Sequence, residues 1–176
     1  MPLQEEFDHY TLADYSQWEG DWELIQGRPQ AMTPSPGVRH QRVSLKLARQ
    51  LDEQLEECPR CFVLFKTDWE IAEDTVVRPD VMVLCGEVGE RVIHRPELIA
   101  EVVSQATARR DERIKFQLYA EEGVPFYFLL YPEQEMVKAY HLLEGEYRKI
   151  EDYSQGSWDD SIEDCPVDAD FSRIWE

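Results

Sequence analysis

Three groups of residues carry the charges or thiols from which chemistry could be built. In "TVVRPDVMVLC", residues 75 to 85, Asp80 stands directly behind Pro79 among Val76, Val77, Val81, Val83 and Leu84. In "PELIAEVVS", Glu101 interrupts Leu98, Ile99, Ala100, Val102 and Val103 in the same way. A carboxylate in an apolar setting is costly unless something positive or hydrogen-bonding meets it, so each acid requires a partner. Arg39, Arg42, Lys46 and Arg49 recur at helical spacing. They form either a stripe for phosphates or a solvated helix face that pairs with neighbours such as Glu53. "CPRC", Cys58 to Cys61, has the spacing of a zinc knuckle or a redox motif, while Cys85 and Cys165 stand isolated. Its place at a helix-to-strand turn favours turn residues with a half-buried thiol, and four cysteines fit a reducing compartment.

The elements that must position these groups follow from the apolar pattern. Thr11 caps a short helix in "TLADYSQWEG"; "DWELIQGRPQAM" reads as a hairpin turning at Gln26 and Gly27, with Pro29 limiting its second arm to an edge. "TPSPG", 33 to 37, is a loop. A helix is expected from about Val38 to Glu57, with Val43, Leu47, Leu51 and Leu55 facing the core. "CFVLFKTDWEIA" and "TVVRPDVMVLC" read as strands around the turn Glu73–Asp74, and "PELIAEVVS" as a third. "QATARRDERIKFQLYAEEG" is helical, with Thr107 as a possible cap and Gly123 as its stop. "VPFYFLLYP", "MVKAYHLL" and "EYRKIEDY" complete the strands. The order implies an α/β (mixed α+β) fold, a mixed sheet flanked by helices, in one domain spanning 1–176 with an acidic segment from about 151.

Alternation puts Ile99, Glu101 and Val103 on one face of their strand. From Ser104 back to Glu101 is about 10 Å at strand rise, and from Thr107 forward to Lys115 is about 12 Å at helical rise. A tight turn between them sets Lys115 level with Glu101, with the helix rotation left open. Each residue also has a plainer reading. Asp80 would sit at a strand edge, solvated or bonded to Arg78, and Lys115 would be a surface helix lysine.

Asp80 after Pro79, with Glu101 and a lysine, resembles the site of the PD-(D/E)XK nuclease superfamily, except that position 103, where the lysine would stand, is valine. The order "RPDVMVL", "PELIAEVVS", then "K…YAEEGVPFYFLLYP" is similar to one bacterial group, the Uma-type restriction-endonuclease-like proteins, in which the lysine has moved onto the following helix. Lys115 occupies that place. The likeness extends to "WELIQGRP" and "SPGVRHQRVSLKLARQL", and so to most of the chain. It implies a restriction-endonuclease-like core and Mg²⁺-dependent (or Mn²⁺-dependent) hydrolysis of phosphodiester bonds, with DNA as the expected substrate and a homodimer as the expected assembly. In this reading Asp80, Glu101 and the carbonyl of Val102 hold the ion, since hard oxygens suit Mg²⁺. Lys115 orients water or stabilises the charge that grows on the phosphate. In the resembled family, an acid in the "WELI" position and a histidine at the start of the long helix come near the same site. Here these are Glu23 and His40, against the plainer readings of an exposed hairpin charge and a helix-entry histidine.

Composition tests that reading. The net charge of −19 opposes nucleic-acid binding, but nine acids fall between 151 and 176 against one base, Arg173. Arg39, Arg42, Lys46 and Arg49, with Arg109, Arg110, Arg113 and Lys115 as a second group, remain available to bind nucleic acid. A hydrophobic content of 43% supports a core. No run is long enough for a membrane span and the start lacks a signal pattern, so a cytoplasmic protein is expected. The rival readings are a catalytically degenerate module that binds nucleic acid or a protein partner, and a structural or zinc/redox module built around "CPRC".

Overall fold

The computed structural model describes residues 8–32 and 37–176; the expected loop at 33–37 lies outside them except for Gly37. Its centre is a six-stranded mixed sheet in the order β10-β9-β8-β7-β6-β3. These strands are Glu146–Tyr153, Met136–Leu143, Phe126–Tyr131, Leu98–Val102, Val81–Cys85 and Cys61–Phe65. β7 and β8 run parallel, which requires the crossover that carries the helix after β7; the other pairs are antiparallel. A four-stranded sheet, β2-β1-β5-β4, stands beside it, built from Arg28–Ala31, Trp22–Ile25, Thr75–Val77 and Trp69–Ala72. The hairpin β1–β2 turns at Gln26 and Gly27 (φ 50° and 75°), where glycine relieves the left-handed backbone, as the sequence indicates.

The two expected strands around Glu73–Asp74 each break in the middle, giving β3 then β4, and β5 then β6. Pro79 cannot donate to a ladder, and Lys66, just past the last paired residue of β3, takes φ 46° while its N–H reaches the Asp80 carbonyl at 3.2 Å. The paired chains thus leave the large sheet and enter the small one at Arg78–Asp80. This corner places an acid where a continuous strand could not.

Alternation divides the core between the faces of the large sheet. Val81, Val83, Leu98, Ala100 and Val102 pack with α2 (Val38–Leu55), which contributes Val43, Leu47, Leu51 and Leu55. Met82, Leu84, Ile99 and Val103 pack on the other face with Leu118 and Tyr119 of α3 (Lys115–Glu121). α1 (Leu12–Tyr15) begins with Thr11, whose N–H donates to the Asp14 carboxylate at 2.8 Å in a capping box.

Residues 151–176 are integral to the fold. β11 (Ser157–Ile162) and β12 (Cys165–Asp170) form a hairpin against α2, burying Trp158, Ile162, Val167, Ala169 and the following Phe171 and Ile174. The acids occupy mostly the outward positions between them. The cysteines correct the reading of isolated thiols. Cys58 is bonded to Cys165 and Cys61 to Cys85, the latter pair facing each other across β3 and β6 with Cα atoms 4.0 Å apart. With all four cysteines paired, the zinc and half-buried-thiol readings of "CPRC" fall, and cysteine usage no longer argues for a reducing compartment. Among the described residues, no helix is long and apolar enough to cross a membrane.

Candidate active site

Asp80 follows the corner between the two sheets and is 7% exposed, so the reading of a solvated strand-edge acid does not hold. Its Oδ2 accepts the Val102 N–H at 2.8 Å and lies 3.5 Å from His40 Nε2; its own N–H points to Glu101 Oε2 at 3.4 Å. Arg78 is committed elsewhere, to Asp68 at 2.7 Å and Asp21 at 2.8 Å. His40 enters from the first turn of α2, and its Nδ1 is buried without a partner among the described residues.

The rotation that brings Lys115 to the acids comes from an irregular helix. Ser104 and Thr107 close the turn after β7 reciprocally, the Ser104 N–H on Thr107 Oγ1 at 3.0 Å and the Thr107 N–H on Ser104 Oγ at 3.2 Å. The helix that follows has a π-wound turn at Arg110–Ile114, where the Lys115 N–H reaches back five residues to the Arg110 carbonyl. Lys115 Nζ then lies 2.9 Å from Glu101 Oε1, 2.6 Å from Glu23 Oε1 and 3.9 Å from Asp111 Oδ1. Tyr119, one turn on, donates its hydroxyl to Glu101 Oε1 at 2.9 Å. Glu23 projects from β1, accepts the Arg78 N–H at 2.9 Å and faces Arg110 Nη1 at 3.5 Å. Glu23 at 1% and Lys115 at 3% exposure are neither a hairpin charge in solvent nor a surface lysine.

Four carboxylates, Glu23, Asp80, Glu101 and Asp111, are buried around one ammonium. Burial pushes the Glu101 carboxyl well above the usual carboxylate range, with the charges of Asp111, Asp80 and Glu23 adding to the effect and Lys115 opposing it. Burial likewise pushes Asp111 up to about 6. Asp80 moves the other way: burial would raise it, but His40 and the Val102 N–H hold it below its ordinary value. Burial would neutralise Lys115, yet Glu101, Glu23 and Asp111 keep it charged, with its pKa well above the usual lysine range. The excess of negative charge calls for protons or a further cation.

These groups line a pocket of about 60 Å³, with Met32, Lys66, Arg78, Thr107 and Arg110 completing it. Among the described residues, no three His, Cys, Asp or Glu side chains are grouped as a metal site. The donor chemistry nevertheless fits a hard divalent ion. Asp80 and Glu101 converge, Asp80 Oδ1 has no hydrogen bond among the described residues, and the third ligand expected from the sequence is the main-chain carbonyl of Val102.

The structure brings Asp80, Glu101, Lys115, Glu23, His40 and Val102 together. It keeps the basic stripe apart and engaged: Arg39 with Glu135 at 3.1 Å, Arg49 with Glu53 at 2.7 Å, and Arg42 (at 2.9 Å) and Lys46 with the main-chain oxygen of Glu176. Asp111, Tyr119 and Lys66 escape sequence reasoning, which placed Arg110 only in a general basic group. Asp111 and Tyr119 did leave a signal, standing four residues on either side of Lys115 and so on its helix face. Lys66 left none, since its place depends on the corner.

A solved structure of the same architecture exists in Anabaena variabilis ATCC 29413, described as "a putative nuclease belonging to DUF820". It matches with a TM-score of 0.77 at 13% identity, over 94% of this chain and 97% of that one. The chain therefore shares the fold of that protein. The sequence profile of the Uma2 family, described as "Putative restriction endonuclease", matches residues 6–166, and the chain belongs to that family. Restriction-endonuclease-like families typically use divalent metals. No curated protein matches the sequence significantly.

Proposed function

We propose that the chain is a divalent-metal-dependent endonuclease that hydrolyses phosphodiester bonds in DNA, acting as a homodimer. The observation that carries this reading is the buried meeting of Lys115 with Glu101 and Glu23 beside Asp80, supplied by α3, β7, β1 and the corner before β6. Asp80, Glu101 and the Val102 carbonyl would hold Mg²⁺ or Mn²⁺, which when bound polarises a phosphate and acidifies water. Lys115 places its ammonium beside the acids and stabilises the negative charge of the transition state; Glu23 and Glu101 fix its direction by accepting from it, and Tyr119 holds Glu101 in turn. His40 faces Asp80 through Nε2 at 3.5 Å and lines the same pocket, which places it to meet a phosphate or take part in the acid–base step. Membership in the Uma2 family supports the class of chemistry.

One observation favours a second reading, a degenerate module that binds nucleic acid or a protein without cutting it. Lys115 already satisfies two of the acids, so the pocket holds its own counter-ion. Calorimetry with Mn²⁺ and cleavage of plasmid and single-stranded DNA separate the two. The endonuclease binds Mn²⁺ weakly, loses that binding on Asp80→Asn, and loses about 10²-fold or more in rate on Lys115→Ala. Equal cleavage by Lys115→Ala would refute the role of the lysine. DNA bound without cleavage under every metal would establish the second reading. Sedimentation of the free protein tests the dimer.

A further inference from the structure

Four cations line the pocket, and three are already committed to acids. Lys115 is held by Glu23 and Glu101, Arg78 by Asp68 and Asp21, and Arg110 by Glu23 together with the Ala31 carbonyl at 3.1 Å. Lys66 is different. Its ammonium has no ion pair or side-chain hydrogen bond among the described residues, in a chain that carries 37 acids against 18 lysines and arginines. In so acidic a molecule, a half-buried cation at the edge of an acid-rich pocket without an acid partner is available to an external anion.

Its backbone is unusual as well. Lys66 occupies the left-handed region at φ 46°, which disfavours a side chain and suits glycine. It does so at the corner where the chains change sheets, and its N–H is fixed on the Asp80 carbonyl at 3.2 Å. The conformation therefore ties Lys66 to the residue that begins the acid cluster. Lys66 also lines a second cleft with Asp68, Glu70, Arg78, Glu90 and Arg91, where Asp68 is held by Arg78 and Glu70 by Arg91, so with Arg78 it stands where the two depressions meet.

We propose that Lys66 is a phosphate-binding residue of the nucleic-acid site, taking a backbone phosphate adjacent to the one at Asp80, Glu101 and Lys115. The proposal rests on the nuclease reading and adds the group that draws a polyanion to a negatively charged pocket. Inside, Lys115 has its charge balanced by buried acids and contributes little long-range attraction. At the rim, Lys66 contributes a nearly unbalanced charge.

The test is binding of fluorescent single-stranded and duplex DNA by anisotropy, with Ca²⁺ as the divalent ion, across a range of salt concentrations. Lys66→Ala should weaken binding about tenfold, the scale of one charge-assisted hydrogen bond, and reduce the log–log salt slope by about one unit. Lys66→Arg should restore both. Lys66→Gly separates binding from folding, because glycine accepts φ 46° freely: its thermal midpoint should equal or exceed that of the wild type while its binding matches Lys66→Ala. Unchanged affinity and slope in Lys66→Ala would overturn the proposal and leave the nuclease reading standing. Weakened binding in Lys66→Arg together with a lowered midpoint in every variant would show a structural role and overturn it equally. A wild type that binds neither DNA form would overturn both.

Discussion

Lys115 and Lys46 are the same side chain in opposite settings. Lys115 is 3% exposed and lies among Glu23, Glu101 and Asp111, whereas Lys46 lies on the solvent side of α2 and reaches the main-chain oxygen of Glu176. Both appear in the sequence as lysines at helical spacing among other charges. Burial separates them. An ion pair in water gains little, because solvent screens it and two long side chains lose freedom. A buried cluster is expensive to assemble and more expensive to break, since removing one member strands the others without water. The pocket is thus where charge is held under constraint, and the stripe is where charge is only displayed.

The sharpest way to break that contrast is Lys115→Met. It leaves Glu101 without its cation and Glu23 with only Arg110 at 3.5 Å, and should cost about 3–5 kcal/mol in urea unfolding. A cost below about 1 kcal/mol would put Lys115 in the same class as Lys46. Adding Glu101→Gln to Lys115→Met should recover at least about 1 kcal/mol, because the amide removes a stranded charge; strict additivity of the two changes would deny their coupling. Next in size is a pH effect. Burial pushes Asp111 from 3.8 up to about 6, so the folded state retains a proton that the unfolded chain releases. That contribution to stability is complete below about pH 4 and is lost as the pH rises to about 6. The stability difference between wild type and Asp111→Asn should therefore move against the wild type across this window in urea titrations. A constant difference would show that Asp111 titrates normally. The smallest effect belongs to the stripe. Arg49→Ala, which removes the exposed pair with Glu53, should leave the urea unfolding midpoint unchanged. Adding salt should not alter that result.

Most of the elements could be read from apolar spacing, because α2 buries one regular face and β6 to β8 are short apolar runs buried on both faces. The corner at Arg78–Asp80 could not be read as a change of sheet, although Pro79 marked it, because a proline can also sit at the start or edge of a single strand. The hairpin β11–β12 was obscured by its own acids. Its turn uses Glu163 and Asp164 at φ 48° and 66°, without the glycine or asparagine that signals such a turn. The disulfide partners lie 107 and 24 residues apart in the chain, so spacing alone gave no pairing. Within the site, strand and helix rise placed Lys115 at the height of Glu101. The direction of its side chain depended on the π-wound turn, which leaves no mark in "RDERI".

That turn also bears on how such a site could change over time. Deleting one residue within 110–114 would restore ordinary winding and rotate everything after it by about 100° relative to Arg110. Read in reverse, the gain of a single residue is enough to carry a lysine from one side of a helix to another while the helix itself persists. In the proposed mechanism the helix supplies the ammonium, and the neighbouring strand has no need to supply one. Position 103 is then free to serve packing alone, and the valine there is 8% exposed within the core.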